Sequence, residues 1–256
     1  MSPKKYIVIL GGIVVISAFV LIYLDSEKAN TGINPSTLDP GVSLSLPGQT
    51  STTTRVAEDV EAPLPPVPDL DRPLVFSIET PELTRSQINV RRNDLVLELK
   101  ENPNYLNNWL DLGAIYKTAG DYEGAAIYWE YASLIRPKNY VSFSNLGYLY
   151  HFYVKDYPRA ELNLKKSVEN EPTYMAGYRG LYDLYTLSYR EKLGEVPKIL
   201  NYGLAKNPND YNLLILLAQY YRDNGMRSEA KTYYEKALAV APPEFKMAIS
   251  EEINKL

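Results

Sequence analysis

From residue 106 onward, apolar side chains recur at the helical spacings of three, four and seven. Trp109, Leu112 and Tyr116 make one stripe, and Ala125, Trp129 and Ala132 make a second behind it. The same two stripes return as Phe143, Leu146, Tyr150 with Ala160, Leu164, Ser167, then as Tyr178, Leu181, Tyr185 with Val196, Leu200, Gly203, and finally as Leu214, Leu217, Tyr221 with Ala230, Tyr234, Ala237. Every second stripe runs out at a proline: Arg136-Pro137, Glu171-Pro172, Asn207-Pro208, Ala241-Pro242. Proline ends a helix and restricts the residue before it, so these dipeptides are seams. The pattern predicts four helix pairs, 106–139, 140–174, 175–210 and 211–242, with one residue inserted inside the second pair and two inside the third.

Close approach of paired helices needs small residues. Gly113, Gly147 and Ala218 face Ala125, Ala160 and Ala230 in three of the pairs. The third pair has Tyr182 and Gly203 at such positions, so it is expected to pack least tightly and to open first, over 186–205. One pair cannot bury its apolar face alone, and stacked pairs need ends. At 84–103, Thr84-Arg85-Ser86-Gln87 fits a capping box ahead of Ile88, Leu95 and Leu99. At 243–256, Phe245, Ile249, Ile253 and Leu256 line one face of a closing helix.

From Trp109 the offsets of Leu112, Gly113, Tyr116, Ala125, Trp129, Ala132 and Pro137 are 3, 4, 7, 16, 20, 23 and 28. At these eight positions the stretch resembles the tetratricopeptide (TPR) family, whose repeat is about 34 residues. The turn Ala119-Gly120-Asp121-Tyr122-Glu123 resembles that family's helix-to-helix turn. The resemblance implies an all-α, right-handed solenoid whose first helices line a concave groove for an extended peptide. It assigns Trp109, Gly113, Tyr116, Ala125, Pro137, Gly147, Tyr150, Ala160, Pro172, Pro208, Ala218, Ala230 and Pro242 to packing. It assigns Asn107, Leu110, Lys117, Ser144, Asn145, Tyr148, His151, Arg179, Asp183, Asn212, Gln219 and Arg222 to the groove. Amides there suit a main chain, and apolar pockets suit alternate side chains. Some family members clamp a chaperone's C-terminal carboxylate; Leu110 and Ala114 stand where the first clamp residues belong, which argues against that partner.

The other end differs in kind. Tyr6 to Leu24 is 19 residues without a charge, and Lys4 and Lys5 precede it while Asp25 and Glu27 follow. A helix of that length spans roughly 28 Å, about the thickness of a bilayer's hydrocarbon. The expectation is a membrane helix at 6–24, with residues 1–5 cytoplasmic and the rest outside. A cleaved signal peptide fits less well, since Leu21-Ile22-Tyr23-Leu24-Asp25 is a poor cleavage site. Residues 25–83 carry ten acids, three bases and seven prolines between Pro35 and Pro68. They are expected to form a disordered spacer, of roughly 40 Å end to end. Leu74 to Ile78 is an apolar exception, read as a lead-in packed on the domain rather than a peptide visiting its groove.

Composition then narrows function. Without Cys and with one His there is no disulfide, thiolate zinc site or multi-His site, and no metal or cofactor is expected. Residues 84–256 hold 22 bases and 21 acids, which is a poor basis for nucleic-acid binding. His151 has no Ser–Asp or Cys arrangement around it, so no enzyme is expected. The resulting reading is a membrane-tethered scaffold that binds a protein or peptide, in envelope assembly or secretion. The alternative is a glycan-binding module that uses groove tyrosines such as Tyr148.

Overall fold

The computed structural model describes residues 65–78 and 80–256. The expected membrane helix and most of the spacer lie outside the described residues. Among the described residues no helix is long and apolar enough to cross a membrane.

The described part is an all-helical array. A lone first helix, α1 (Glu82–Glu101), precedes four antiparallel pairs. These are α2 (Leu106–Ala119) with α3 (Tyr122–Ile135), α4 (Tyr140–Tyr148) with α5 (Tyr157–Asn170), α6 (Met175–Asp183) with α7 (Val196–Lys206), and α8 (Tyr211–Asp223) with α9 (Arg227–Val240). Helix α10 (Pro243–Asn254) ends the chain. The residue before each seam proline, Arg136, Glu171, Asn207 or Ala241, closes its helix with ψ between 75° and 146°, the extended geometry that a following proline enforces. Asp121, Asn139, Asp156 and Asp210 cap the next helices by accepting from backbone N–H groups.

The inserted residues have a definite fate. Helix α4 does not end as α2 does but widens into a π-helical turn, Leu149–Val154. Helix α6 widens likewise at Leu184–Ser188, and a 3₁₀ segment, Arg190–Glu195, then leads to α7. A π-turn is how a helix absorbs an extra residue, rotating the side chains that follow it. The regular first and fourth pairs have no such turn.

Two core details show why particular small residues are present. A methyl group on Gly113 would run into the Trp129 indole, and one on Gly147 would lie 2.5 Å from Leu164 Cγ. Gly203, which the repeat pattern marks as a weak choice, is instead required: a Cβ there would sit 2.8 Å from both Leu213 Cδ1 and Tyr178 Cε1. Tyr182 is half-buried, and α6 and α7 approach each other much less closely than the other paired helices do.

Two expectations are corrected. The helix predicted to begin with a capping box at Thr84 starts at Glu82, with Pro81 as its N-cap and no side-chain cap, so Thr84 lies inside the first turn. The spacer expected to be disordered through residue 83 is ordered on the array from Pro65. Residues 65–78 form an extended strap across the first helices. Leu70 is buried in the main core. Tyr131, Tyr128 and Tyr116 donate to the carbonyls of Pro65, Asp69 and Arg72 at 3.4, 3.0 and 2.7 Å. Arg92 donates to the Leu70 and Arg72 carbonyls, and Ser77 N–H donates to the Ala119 carbonyl at 2.7 Å. The strap has few apolar residues of its own, and what holds its backbone is a set of tyrosines and an arginine of the domain.

Candidate functional site: the inner face of the array

The first helices of the second, third and fourth pairs approach one another, whereas the second helices stay further apart. The first helices therefore line the inside of the curve. On this face the side-chain amides of Asn107, Asn145, Asn212 and Gln219 make no hydrogen bond among the described residues. Asn107 is exposed, and the other three are half-buried.

Two charges on this face are half-buried without an ion pair. Lys117 has only the Tyr153 ring, 5.2 Å from its ammonium, and burial holds its pKa below the ordinary lysine value. Burial raises the Asp183 carboxyl above the ordinary aspartate value, against the pull of Arg179 one turn earlier. Asp183 also lines a cavity of about 320 Å³ between the third and fourth pairs, with Tyr182, Thr186, Tyr220 and Asp223 among its walls. Burial there, with the Asp223 carboxylate nearby, pushes the Tyr182 phenol up to about 12. Arg179 is exposed, and Leu110 is half-buried with its carbonyl accepting from the Trp129 indole at 2.9 Å.

Four residues assigned to the groove are committed elsewhere. Ser144 is 2% exposed and bonded to the Tyr174 hydroxyl. His151 is also 2% exposed: the π-turn rotates it inward, where Nε2 meets Ser188 Oγ at 2.9 Å and Nδ1 has no partner. Tyr148 donates to the Ala176 carbonyl at 2.7 Å and lies half-buried against Gly180, so it welds the second pair to the third. Arg222 bonds Asp223, the Tyr234 hydroxyl and Glu252, and so fastens α10 to the fourth pair. The register by helical spacing was drawn for straight helices, and a π-turn breaks it for residues after Tyr148.

Residues 211–244, the fourth pair with its seam, match the family model described as "Tetratricopeptide repeat". The three earlier pairs repeat its helix order and its seams, and the first two repeat its small-residue contacts. The fourth pair is a tetratricopeptide repeat, and the described array follows the same plan. Solved structures that it resembles include MamA (20% identity, covering 65% of this chain and 88% of that one, TM-score 0.48). Others are YrrB, titled a TPR protein with an unusual peptide-binding site (17%, 67% and 87%, 0.47), and TTC0263, a thermophilic TPR protein of Thermus thermophilus (25%, 57% and 80%, 0.41). No curated protein matches the chain.

In this TPR array the repeated tyrosine carries a polar handle that spacing alone does not show. Tyr150 donates to Glu130 at 2.6 Å and Tyr185 to Glu161 at 3.0 Å, each reaching back to the preceding repeat. Tyr116 has no preceding complete repeat, and the strap's Arg72 carbonyl takes that role. Burial and the Glu130 carboxylate push the Tyr150 phenol up to about 12. The strap is the element sequence reasoning missed; the run Leu74 to Ile78 was its one visible signal.

Proposed function

We propose that this TPR protein is a membrane-tethered scaffold whose inner face binds an extended segment of a partner protein. The observation that carries the reading is the set of unsatisfied groups on that face. Lys117 and Asp183 are half-desolvated charges without ion pairs, and Asn107, Asn145, Asn212 and Gln219 are amides without partners among the described residues. Half-buried polar groups left unpaired are costly, and a bound main chain with donors and acceptors would satisfy them. The charge-free run at 6–24 supports the tether, and its flanking lysines support an extracytoplasmic array. Envelope assembly or secretion is the setting that fits an anchor, a spacer and a binding array. The sugar-binding alternative loses its main ring, because Tyr148 is engaged between repeats.

The test is site-specific photocross-linking in the native membrane. A photoreactive residue at Asn145 or Gln219 is expected to give adducts with a defined partner, and one at the exposed Leu162 of α5 is not. Adducts from Leu162 alone, or equally from all three sites, would refute binding on the inner face. Protease added to intact spheroplasts is expected to remove residues 84–256; full protection would refute the topology.

A further inference from the structure

The two inserted stretches do more than widen helices. Phe152, Tyr153 and Val154 end the first π-turn at 47%, 42% and 42% exposure, and Leu187 ends the second at 67%. The His151–Ser188 contact joins the two turns. Ring contacts extend the join: Tyr122 with Tyr153 at 4.8 Å, Phe152 with His151 at 3.9 Å, and Tyr157 with Tyr189 at 6.0 Å. The result is one apolar, aromatic edge made by the helix-to-helix turns of the first three repeats.

Lys117, Lys155, Arg190 and Lys192 border the edge, and none has an ion pair among the described residues. Of the nearby carboxylates, Asp156 is taken by Arg159, Glu123 by Arg72, Glu195 by Lys198 and Asp223 by Arg222, which leaves Glu191 and Asp183, the latter in the cavity that Arg190 also lines, against the four cations. Lys155 adds a second observation. It sits at φ 61°, the left-handed conformation that the corresponding turns give to Gly120 (φ 91°) and Gly225 (φ 76°). A side chain is strained there, so the turn keeps a lysine at its tip in place of the glycine its backbone favours.

We propose that this edge docks on an anionic lipid surface. The inference rests on the membrane-tether reading in one respect: an anchored chain meets the bilayer at the high effective concentration that a weak contact requires. Phenylalanine and tyrosine rings with aliphatic tips enter the interfacial layer, and unpaired lysine and arginine meet the lipid phosphates. Each cation near such a surface adds about fivefold in affinity.

The experiment compares the full chain reconstituted in vesicles of phosphatidylcholine alone and in vesicles with about one-quarter phosphatidylglycerol, read by hydrogen exchange. Expected is slowing by about fivefold or more at 149–157 and 184–192 in the anionic vesicles, with no change at 227–240. About 0.5 M salt should erase it. So should the triple variant Lys155→Glu, Arg190→Glu, Lys192→Glu, in which the first two sites are exposed and the third half-buried, and whose helicity serves as the folding control. Equal exchange in both lipids would overturn the proposal. Slowing that ignores lipid charge and follows protein concentration would also overturn it, and would mark a protein contact instead. The anchor is read separately, by resistance of the full chain to alkaline carbonate extraction. If the chain is extracted, the tether reading fails, while selective binding of the released chain to anionic vesicles would still support the edge.

Discussion

Asp121 joins the strap to the first repeat, and removing it should cost more than a helix cap. Its carboxylate accepts Gly124 N–H at 2.9 Å as the cap of α3, accepts Val75 N–H from the strap at 3.3 Å, and pairs with Arg72. The side chains of Asp121 and Arg72 are 4% and 20% exposed, so water replaces neither partner well. Loss of the cap is worth about 1 kcal/mol. Loss of a hydrogen bond between charged groups is worth about 1.5–3 kcal/mol. Asp121→Ala is therefore expected to destabilise the first repeat by about 3–4 kcal/mol, and Arg72→Ala by about 2–3. Because both remove one shared bond, the double variant should lose little more than Asp121→Ala alone, a coupling of about 1.5–2 kcal/mol. The assay is urea denaturation followed by tryptophan fluorescence. The only two tryptophans, Trp109 and Trp129, both lie in the first repeat and so report on the unit concerned. Losses that add within about 0.5 kcal/mol would refute the coupling. Acid provides a second check. Burial by itself raises the Asp121 carboxyl, but Arg72 and the Gly124 and Val75 N–H groups outweigh it and leave it below its ordinary value. A carboxylate lowered in the folded state stabilises above its unfolded pKa of about 3.9 and loses that stabilisation as pH falls through the folded value. Arg72→Ala should reduce this acid sensitivity.

Further outcomes follow from packing. Gly203→Ala, although it restores a small residue of the kind other repeats use, should destabilise by about 1–3 kcal/mol through overpacking on Tyr178 and Leu213, seen as a lower melting midpoint. Tyr148→Ala should cost about 2 kcal/mol or more, since it removes a half-buried ring and its bond to Ala176; a midpoint unchanged from wild type would show the ring to be free surface. Burial lowers the His151 pKa, so the stability of the neutral ring is present above the unfolded pKa of about 6.5 and is lost as pH falls below it toward the folded value. The denaturation midpoint should drop between about pH 7.5 and about pH 5.5, and His151→Gln should abolish that drop. Hydrogen exchange should find the earliest helical opening at 184–195, where the π-turn and 3₁₀ segment interrupt the third repeat.

The repeat architecture was legible because its marks are local. Seam prolines, the glycine and alanine contacts and the apolar stripes each depend on spacing along one or two helices. The insertions in the second and third repeats were countable as well, but counting did not reveal that a π-turn would absorb them, and that rotation is what carries His151 inside. Asn145, Asp183 and Gln219 lie before any such turn or on a regular helix, so helical spacing still applies to them. Ser144 and Arg222 were misassigned because their partners, Tyr174 and Glu252, come from the next structural unit. Most of the strap was illegible for the same reason: Tyr116, Tyr128 and Arg92 hold it from 20 to 59 residues away along the chain.

The strap also has a mechanical consequence. Its contacts are ordered along the chain: Pro65 on Tyr131, Asp69 on Tyr128, Arg72 on Tyr116 and Asp121, Ser77 on Ala119. A pull on the N-terminal side loads them one after another, as in opening a zip, rather than all at once. Peeling in series yields at far lower force than shearing the same bonds together. Tension would therefore release the strap before disturbing the helices, freeing about 14 residues and roughly 45 Å of slack. The segment would act as a load-limiting spring in line with the array, whose inner face stays intact while the reach of the molecule grows.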